Sequence, residues 1–344
     1  MVILIVAAAR NPIRRVRPIV VRERRPRDNT IRLLSMGSPV VVWHEAYEID
    51  LGEHVYPTEK YRLVRQKLAE DGLLAELSPV SPEPAPEEDL ARVHTGAYLE
   101  KVRTGRFDRQ EELRLEVPFS PELRRAMTLA CGGTTAAARH ALQDGVAVHL
   151  GGGFHHAFAD HGEGFCLLND SAVAVRALLA DGSIDRAAVV DCDVHQGNGT
   201  ASIFRDDARV FTLSLHQERL YPARKPPSDL DVGLPDGIGD DDYLKRLRAA
   251  LPRAVEDPEP DLVLYLAGAD PYRRDQLGGL ALSRDGLAER DRTVLRSLRG
   301  RGIPAVVLLA GGYAVRVEDT VSIHAATVGE ALDARREEVA VRGG

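Results

Sequence analysis

The strongest constraint on the fold is a short apolar segment that runs directly into acidic residues and a histidine. Residues 187–200 read AAVVDCDVHQGNGT, and the β-branched run Ala187–Val190 is typical of a strand buried on both faces. Alternate residues of an extended strand point to one face. Asp191, Asp193 and His195 are therefore predicted to lie on the same side of the chain.

Two carboxylates and an imidazole at the end of a buried strand need a cation or hydrogen-bond donors nearby, because burying them alone is costly. A divalent metal ion is the simplest compensation. Asp and His ligands around an open position suit catalytic zinc. The alternative is a strand end whose acidic residues simply reach the solvent.

Predicted strands and helices alternate along the rest of the chain. This pattern indicates an α/β fold: a single-domain, doubly wound, mostly parallel sheet with helices on both faces. Four predicted strands end in Gly, His, Asp or Tyr, namely 146–150, 187–190, 262–266 and 305–309. Ligands in open parallel sheets bind at the carboxyl ends of the strands. We therefore expect these four ends to converge.

Several connecting segments have their own signatures. Leu77–Glu88 is acidic and rich in proline, and it is predicted to be a surface connection. Glu218–Gly239 is long and rich in Pro, Asp and Gly, which favours the rim of an active site. Leu90–Thr104 is predicted as one helical stretch. Gly132 and Gly133, inside another predicted helix, indicate close packing against a neighbouring element.

Composition limits the setting of the protein. The chain has 344 residues, of which 44% are apolar, enough for a sizeable core. Its three cysteines lack CxxC spacing, so neither a disulfide framework nor a thiolate zinc site is indicated, and we expect a cytoplasmic location. No apolar run approaches the roughly 20 residues of a membrane helix, so no membrane association is expected.

The first 38 residues differ from the remainder, and we treat them as a basic extension with little packed structure. They hold nine arginines against two acidic residues, a balance of +7, whereas residues 39–344 carry −14. The acidic body argues against general nucleic-acid binding. The extension is open to three interpretations: a transit peptide, a nucleic-acid-binding arm, or a start assigned upstream of the true first residue, Met36.

Assembled at one edge of the sheet, the strand ends supply the parts of an amide hydrolase. Asp193, His195 and Asp270 are candidate metal ligands that leave a position for water. The adjacent His155 and His156 can take a proton from that water and return it to a leaving amine. The remaining part is Tyr313, whose phenol can donate to a developing oxyanion.

Five motifs in this order resemble the zinc-dependent histone deacetylase and acetylpolyamine amidohydrolase family. They are GGGFHHA (151–157), GFCLLND (164–170), DCDVHQGNG (191–199), AGAD (267–270) and GGY (311–313). The resemblance extends from about Val40 to Thr327. The sequences DCDVHQGNG and DQLGGLALS (275–283) are most similar to the class IV branch and its bacterial relatives. The family implies an arginase/deacetylase-like fold for residues 39–344.

The resemblance also implies roles for single residues. One zinc ion per chain would be held by the three candidate ligands. His156 would be the general base, oriented by Asn198, and His155 would be held protonated or oriented by Asp191. Many members carry an aspartate in place of Asn198, so His156 is expected to have a neutral partner and a lower basicity. Tyr313 would bind the scissile carbonyl.

Substrate and ion contacts are implied in the same way. Phe165 and Tyr221 would form the walls of a narrow tunnel, with the Gly164 carbonyl near the substrate amide and Glu116 as an acid on the rim. A structural potassium ion would use Asp191, Asp193, His195 and Ser214. The expected substrate is an acylated lysine of a protein, with an acetyl or longer acyl group, or an acylated polyamine, because an acidic body attracts cations.

Two other functions are weighed against this hypothesis. An arginase-like ureohydrolase would need further carboxylates around His195 to bridge a second metal ion, but Gln196, Gly197 and Asn198 follow it. A catalytically silent binder of acyl-lysine would be expected to lack a ligand, the tyrosine or the histidine pair. None of these is missing from the sequence. The oligomeric state is left open.

Overall fold

The computed structural model describes residues 38–343, with side-chain surroundings up to residue 336. The predictions for residues 1–37 lie outside this range. The strands are β1 Val40–Val42, β2 Ser78–Val80, β3 Val146–His149, β4 Ala187–Asp191, β5 Val210–Gln217, β6 Leu230–Leu234, β7 Leu262–Leu266 and β8 Ala305–Leu308. The helices are α1 Lys60–Glu70, α2 Glu87–Ala91, α3 Gly96–Thr104, α4 Arg109–Leu115, α5 Pro121–Asp144, α6 Asp170–Ala180, α7 Asn198–Phe204, α8 Asp240–Val255, α9 Arg284–Arg299 and α10 Val317–Gly343.

The strands form one sheet in the order β2-β1-β3-β8-β7-β4-β5-β6. Every neighbouring pair runs parallel, as the alternation of strands and helices predicts. The four strands whose ends carry Gly, His, Asp or Tyr are adjacent at the centre, as β3, β8, β7 and β4. Their carboxyl ends therefore converge at one edge, and the predicted fold is confirmed.

Apolar side chains alternate between the two faces of the sheet. In β4, Ala187 and Val189 belong to the core that includes α5 and α6, whereas Ala188 and Val190 belong to the core that includes α8 and α9. All five residues of this strand are buried. The first prediction, a strand covered on both faces, is confirmed, and β4 extends one residue further, to Asp191.

Helix α5 packs closely against its neighbours because two of its residues have no side chain. A Cβ atom on Gly132 would lie 1.9 Å from the Glu83 carbonyl oxygen. A Cβ on Gly133 would lie 2.6 Å from Nε2 of His149, which is on β3. The close packing that these glycines indicate is present.

Four short elements differ from the sequence predictions. The segments predicted as connections contain the edge strands β2 and β6, whose residues are largely exposed or half-buried and so lack an apolar run. Helices α4 and α7 had no predicted counterpart. The predicted helix 90–104 is broken before Thr95, which caps α3 through its hydroxyl while its own N–H donates to Ala159.

Candidate active site

The predicted metal ligands meet at the carboxyl edge of the sheet. Asp193 and His195 follow β4, and Asp270 follows β7, its neighbour. One potential ligand atom from each side chain lies within 4.8 Å of the others. Nδ1 of His195 is 3.1 Å from Oδ1 of Asp193 and 3.4 Å from Oδ2 of Asp270. In the part of the chain that the structure describes, this is the one group of three or more His, Cys, Asp or Glu side chains that could hold a metal ion.

Backbone N–H groups hold both carboxylates in place. The N–H of His195 donates to Oδ1 of Asp193, and that of Gly311 donates to Oδ2, each at 2.9 Å. Val194 donates to Oδ1 of Asp270 at 2.9 Å. The other oxygen, Oδ2 of Asp270, is buried and has no hydrogen-bond partner among the described residues. A buried carboxylate oxygen without a hydrogen-bond donor is suited to bind a cation.

The pKa shifts at this cluster also favour a bound cation. Burial and the charge of Asp193 raise the pKa of Asp270 to about 7. Burial alone would lower the pKa of His195, but Asp193 and Asp270 outweigh it and raise that pKa to about 10. The charges of Asp193 and Asp270 therefore stabilise a positive charge placed between the two carboxylates. The oxygen and nitrogen donors present fit a divalent metal ion such as zinc.

A buried arginine on α9 supports the two ligand-bearing loops. Nη1 of Arg290, on α9, donates to the carbonyl oxygens of Gly268 at 2.6 Å and Cys192 at 3.3 Å. These carbonyls lie two residues before Asp270 and one before Asp193. Arg290 is fully buried and pairs with Asp291 at 2.8 Å. No sequence signal predicts this role, because an arginine in an amphipathic helix usually faces solvent.

The histidine pair faces the ligand cluster, and each ring has its predicted partner. Nδ1 of His155 lies 2.7 Å from Oδ2 of Asp191. Nδ1 of His156 lies 2.7 Å from Oδ1 of Asn198, and the two Nε2 atoms are 3.2 Å apart. Although burial opposes it, the Asp191 and Asp193 charges raise the pKa of His155 to about 9. Burial, His155 and His195 hold the pKa of His156 well below its usual value.

A buried polar network fixes the loop that precedes the histidine pair. The Asp170 carboxylate accepts the N–H groups of Gly153, at 3.0 Å, and Phe154, at 2.7 Å. Thr134 donates to the same carboxylate at 2.5 Å and contacts Nδ1 of His149 at 2.9 Å. Gly153 has φ +104°, a conformation that favours glycine. Asp170 is the last residue of the GFCLLND motif, but the sequence alone predicts no role for it.

Tyr313 lies beside the ligand cluster on the loop after β8. Its ring centroid is 6.5 Å from that of His195, and its N–H donates to Asp275 at 2.7 Å. Burial and the neighbouring Asp193 and Asp270 raise its pKa well above the usual value, so the phenol keeps its proton. The position and protonation state match those of a hydrogen-bond donor to substrate.

An unpredicted cation, Lys60, lies behind Tyr313. Its Nζ donates to the Ala310 carbonyl at 2.7 Å and is 5.6 Å from the centre of the Tyr313 ring. The side chain is 1% exposed, and burial lowers its pKa to about 8. Its position in the first turn of α1 gives no sequence signal, since a lysine there normally reaches solvent.

Aromatic side chains surround the approach to this cluster. Phe165 is stacked on Tyr56, with centroids 5.7 Å apart, and packs edge-on against Tyr313 at 5.9 Å. Tyr221 packs edge-on against His156 at 5.1 Å and His195 at 6.2 Å. Gly164, at φ +52°, lies against the second of these sides, since a Cβ atom there would meet both His156 and Tyr221.

The two remaining predicted residues lie further from the cluster. Glu116 is exposed at the end of α4, and its carbonyl oxygen is 2.8 Å from Nε2 of His54, whose ring packs on Phe165. Ser214 is buried in register with Asp191, and its hydroxyl contacts Nδ1 of His216 at 3.0 Å. Their predicted roles toward substrate and potassium stay predictions.

Comparison with known proteins gives a family match. The model of the histone deacetylase domain matches residues 54–328. A protein of Picosynechococcus, named only as uncharacterized, is 40% identical over 84% of this chain and 96% of its own length. Histone deacetylase 2 of Arabidopsis thaliana is 33% identical over 79% and 74%. A probable deacetylase of Archaeoglobus fulgidus is 32% identical over 86% and 88%.

Within residues 38–343, no helix combines the length and apolar character that crossing a bilayer requires.

Proposed function

This chain belongs to the histone deacetylase family and is a hydrolase of the deacetylase type, and we propose that it removes acyl groups from lysine side chains with one zinc ion per chain. One observation carries the proposal. Two candidate ligands (Asp193 and His195), the histidine pair and the protonated Tyr313 line a single pocket, and the third candidate ligand, Asp270, lies next to the first two. Each part alone has a structural explanation, but their convergence matches the needs of amide hydrolysis.

Asp193, His195 and Asp270 would hold the ion, and their supporting N–H donors keep them ready for it. Bound there, zinc would polarise the amide carbonyl and lower the pKa of a water molecule. A single cluster of this kind among the described residues supports one ion rather than the two of an arginase-like enzyme.

His156 would take the proton from the attacking water. Its depressed pKa leaves the ring neutral, and with Nδ1 turned toward Asn198 its Nε2 is the atom that faces the site. His155, held in the protonated form by Asp191, would stabilise negative charge that builds up beside it. The proton on His156 would then pass to the departing lysine amine.

Tyr313 would donate its hydroxyl hydrogen to the carbonyl oxygen as negative charge develops there. Because burial and two nearby carboxylates keep the phenol protonated, this donor persists across the neutral pH range. The buried Lys60 behind the ring adds a positive charge that favours an anionic carbonyl oxygen in front of it.

The approach to the site favours a slim, extended side chain. Phe165 and Tyr221 present rings on either side, which suits the aliphatic stem of a lysine. The Gly164 carbonyl would accept the substrate amide N–H, and Glu116 on the rim would bind the peptide backbone. Small acylated polyamines are the second candidate, favoured by the −14 charge of residues 39–344.

Three further assignments belong to the proposal. Residues 39–344 would form the catalytic domain, with residues 1–38 as a basic extension. A structural potassium ion would use Asp191, Asp193, His195 and Ser214, of which Asp191 and Ser214 are buried register partners on β4 and β5. A cytoplasmic location is supported by three buried cysteines that form no disulfide.

A release assay with purified, zinc-reconstituted protein tests the function. The panel is an acetyl-lysine peptide, a myristoyl-lysine peptide and an acetylated polyamine, each also run with Asp193→Ala. The proposal predicts turnover of a lysine peptide that the variant lacks. Turnover of the polyamine alone would mean that the substrate is an acylated polyamine and not an acylated lysine. No turnover of any substrate by protein that holds one zinc ion would contradict both.

A further inference from the structure

The partner of His156 is itself hydrogen-bonded to a carboxylate. Asn198, 1% exposed, presents Oδ1 to Nδ1 of His156 at 2.7 Å. On its other side, Nδ2 donates to Oε1 of Glu163 at 2.6 Å. The three side chains form a continuous hydrogen-bonded chain from the Glu163 carboxylate to His156, the proposed general base. The sequence predicts only a neutral partner for His156 and no role for Glu163.

An asparagine needs such an acceptor if it is to orient a histidine. Its amide has one oxygen acceptor and one nitrogen donor, and a half-turn exchanges them. With the oxygen toward Nδ1, the proton of a neutral ring sits on Nδ1 and the lone pair lies on Nε2. With the nitrogen toward Nδ1, the proton would move to Nε2 and the ring could no longer act as a base toward the site. Glu163 selects the first arrangement because a carboxylate can only accept.

Glu163 is itself firmly placed and negatively charged. Its backbone forms reciprocal hydrogen bonds with Cys166, at 3.1 Å and 2.9 Å. Its carboxylate accepts the Tyr221 hydroxyl at 3.1 Å and lies 3.5 Å from Nε2 of His161. Burial alone would raise its pKa, but contacts from His161, Asn198 and Tyr221 hold that pKa below its usual value.

We infer that Glu163 is a positioning residue for the general base, acting through Asn198 to fix the ring orientation and tautomer of His156. The inference rests on the proposed role of His156. An aspartate at position 198 would place a carboxylate directly against His156. Here the carboxylate of Glu163 acts instead through the side-chain amide of Asn198. Glu163 also joins the base to the pocket wall, since Tyr221 donates to the same oxygen as Asn198.

Removal and rescue test the inference on the substrate that the panel identifies. Glu163→Ala frees the Asn198 amide to turn, so kcat is expected to fall about tenfold, a part of what a general base supplies, with KM within about twofold. Asn198→Asp in that background is expected to restore most of kcat, because a carboxylate has no donor to misplace. A residue that only supports its loop would not be rescued by a change at position 198.

The control is Asp160→Ala, which removes a neighbouring exposed carboxylate that contacts His161 and not Asn198. It should behave as the parent protein does. A Glu163→Ala variant with unchanged kcat, or one that Asn198→Asp does not rescue, would overturn the inference. His156→Ala separates the two levels: turnover that survives this change refutes the proposed role of His156 as general base, whereas loss of turnover in His156→Ala together with unchanged kcat in Glu163→Ala refutes only the inference.

A second pair of variants keeps the test decisive if Glu163→Ala does not fold. Asn198→Asp alone would place a second carboxylate against Glu163, and kcat should fall. Adding Glu163→Gln should raise kcat above that of Asn198→Asp, since a glutamine amide donates to the new carboxylate. Equal or lower kcat in the double variant would contradict the inference. Zinc content, measured alongside, should equal that of the parent protein in every variant.

Discussion

The floor and the rim of the site are built in different ways. The floor, defined as Asp193, His195 and Asp270, follows central strands directly, is nearly inaccessible to solvent and is held by backbone N–H donors. The rim, defined as Glu116 and Tyr221, comes from the end of a short helix and from a long segment before an edge strand. The floor is therefore rigid, as the proposed chemistry requires, and the rim is the more accessible of the two, as the proposed contacts to substrate require.

The sharpest test of the floor is Asp193→Ala. This change removes one ligand and leaves His195 beside a single carboxylate, so zinc retention and turnover should both be lost. Zinc per chain, measured by atomic absorption after dialysis, checks the first effect. Asp160→Ala is the matched control at an exposed carboxylate. Full zinc content in Asp193→Ala would show that the ligands are wrongly assigned.

The support beneath the floor is tested by Arg290→Met. The change leaves Asp291 buried without its cation and two carbonyls without a donor, so the free energy of unfolding should drop by about 3–5 kcal/mol. Urea unfolding measures the change. Arg248→Met is the control, because its ion pair with Glu289 is solvent-exposed and worth less than about 1 kcal/mol. Equal losses of unfolding free energy in the two variants would mean that the buried ion pair stabilises the protein no more than the exposed one.

Tyr313→Phe tests the chemistry at the edge of the floor. Removing the hydroxyl should lower kcat about 100-fold, the scale for one oxyanion donor, while zinc stays bound. Single-turnover rates with saturating substrate separate this effect from binding. A kcat close to that of the parent protein would mean that the phenol takes no part in the reaction.

The smallest effect is expected at the rim. Glu116→Gln removes a charge that would bind the peptide backbone, so KM for a lysine peptide should rise a few-fold, on the order of 1 kcal/mol, with kcat unchanged. Steady-state kinetics on peptide and polyamine substrates checks this. A fall in kcat as large as that of Tyr313→Phe would contradict the division between floor and rim.

The same contrast explains which parts of the site can be predicted from sequence. Asp193 lies two residues after β4, and Asp270 lies four residues after β7, so strand periodicity and the parallel-sheet rule are enough to bring them together. The parallel sheet and the convergence of its four strand ends follow from equally local signals. The paired N–H donors at Asp193 and Asp270 are consequences of those same strand ends.

Contacts between distant loops have no such signal. Glu163 reaches Asn198 across 35 positions and Tyr221 across 58, and no periodicity relates these segments. Arg290 and Lys60 are cations in amphipathic helices, which sequence patterns assign to the surface although both are buried here. The edge strands β2 and β6 escaped prediction because they lack the apolar runs of the central strands.

The most direct test of the account is a zinc titration of the metal-free protein with turnover as the readout. If the floor holds one catalytic ion, turnover of the acyl-lysine peptide should rise in proportion to added zinc and level off at one ion per chain. Asp193→Ala should stay inactive throughout. Turnover by the metal-free protein, or a plateau reached only at two ions per chain, would contradict the account.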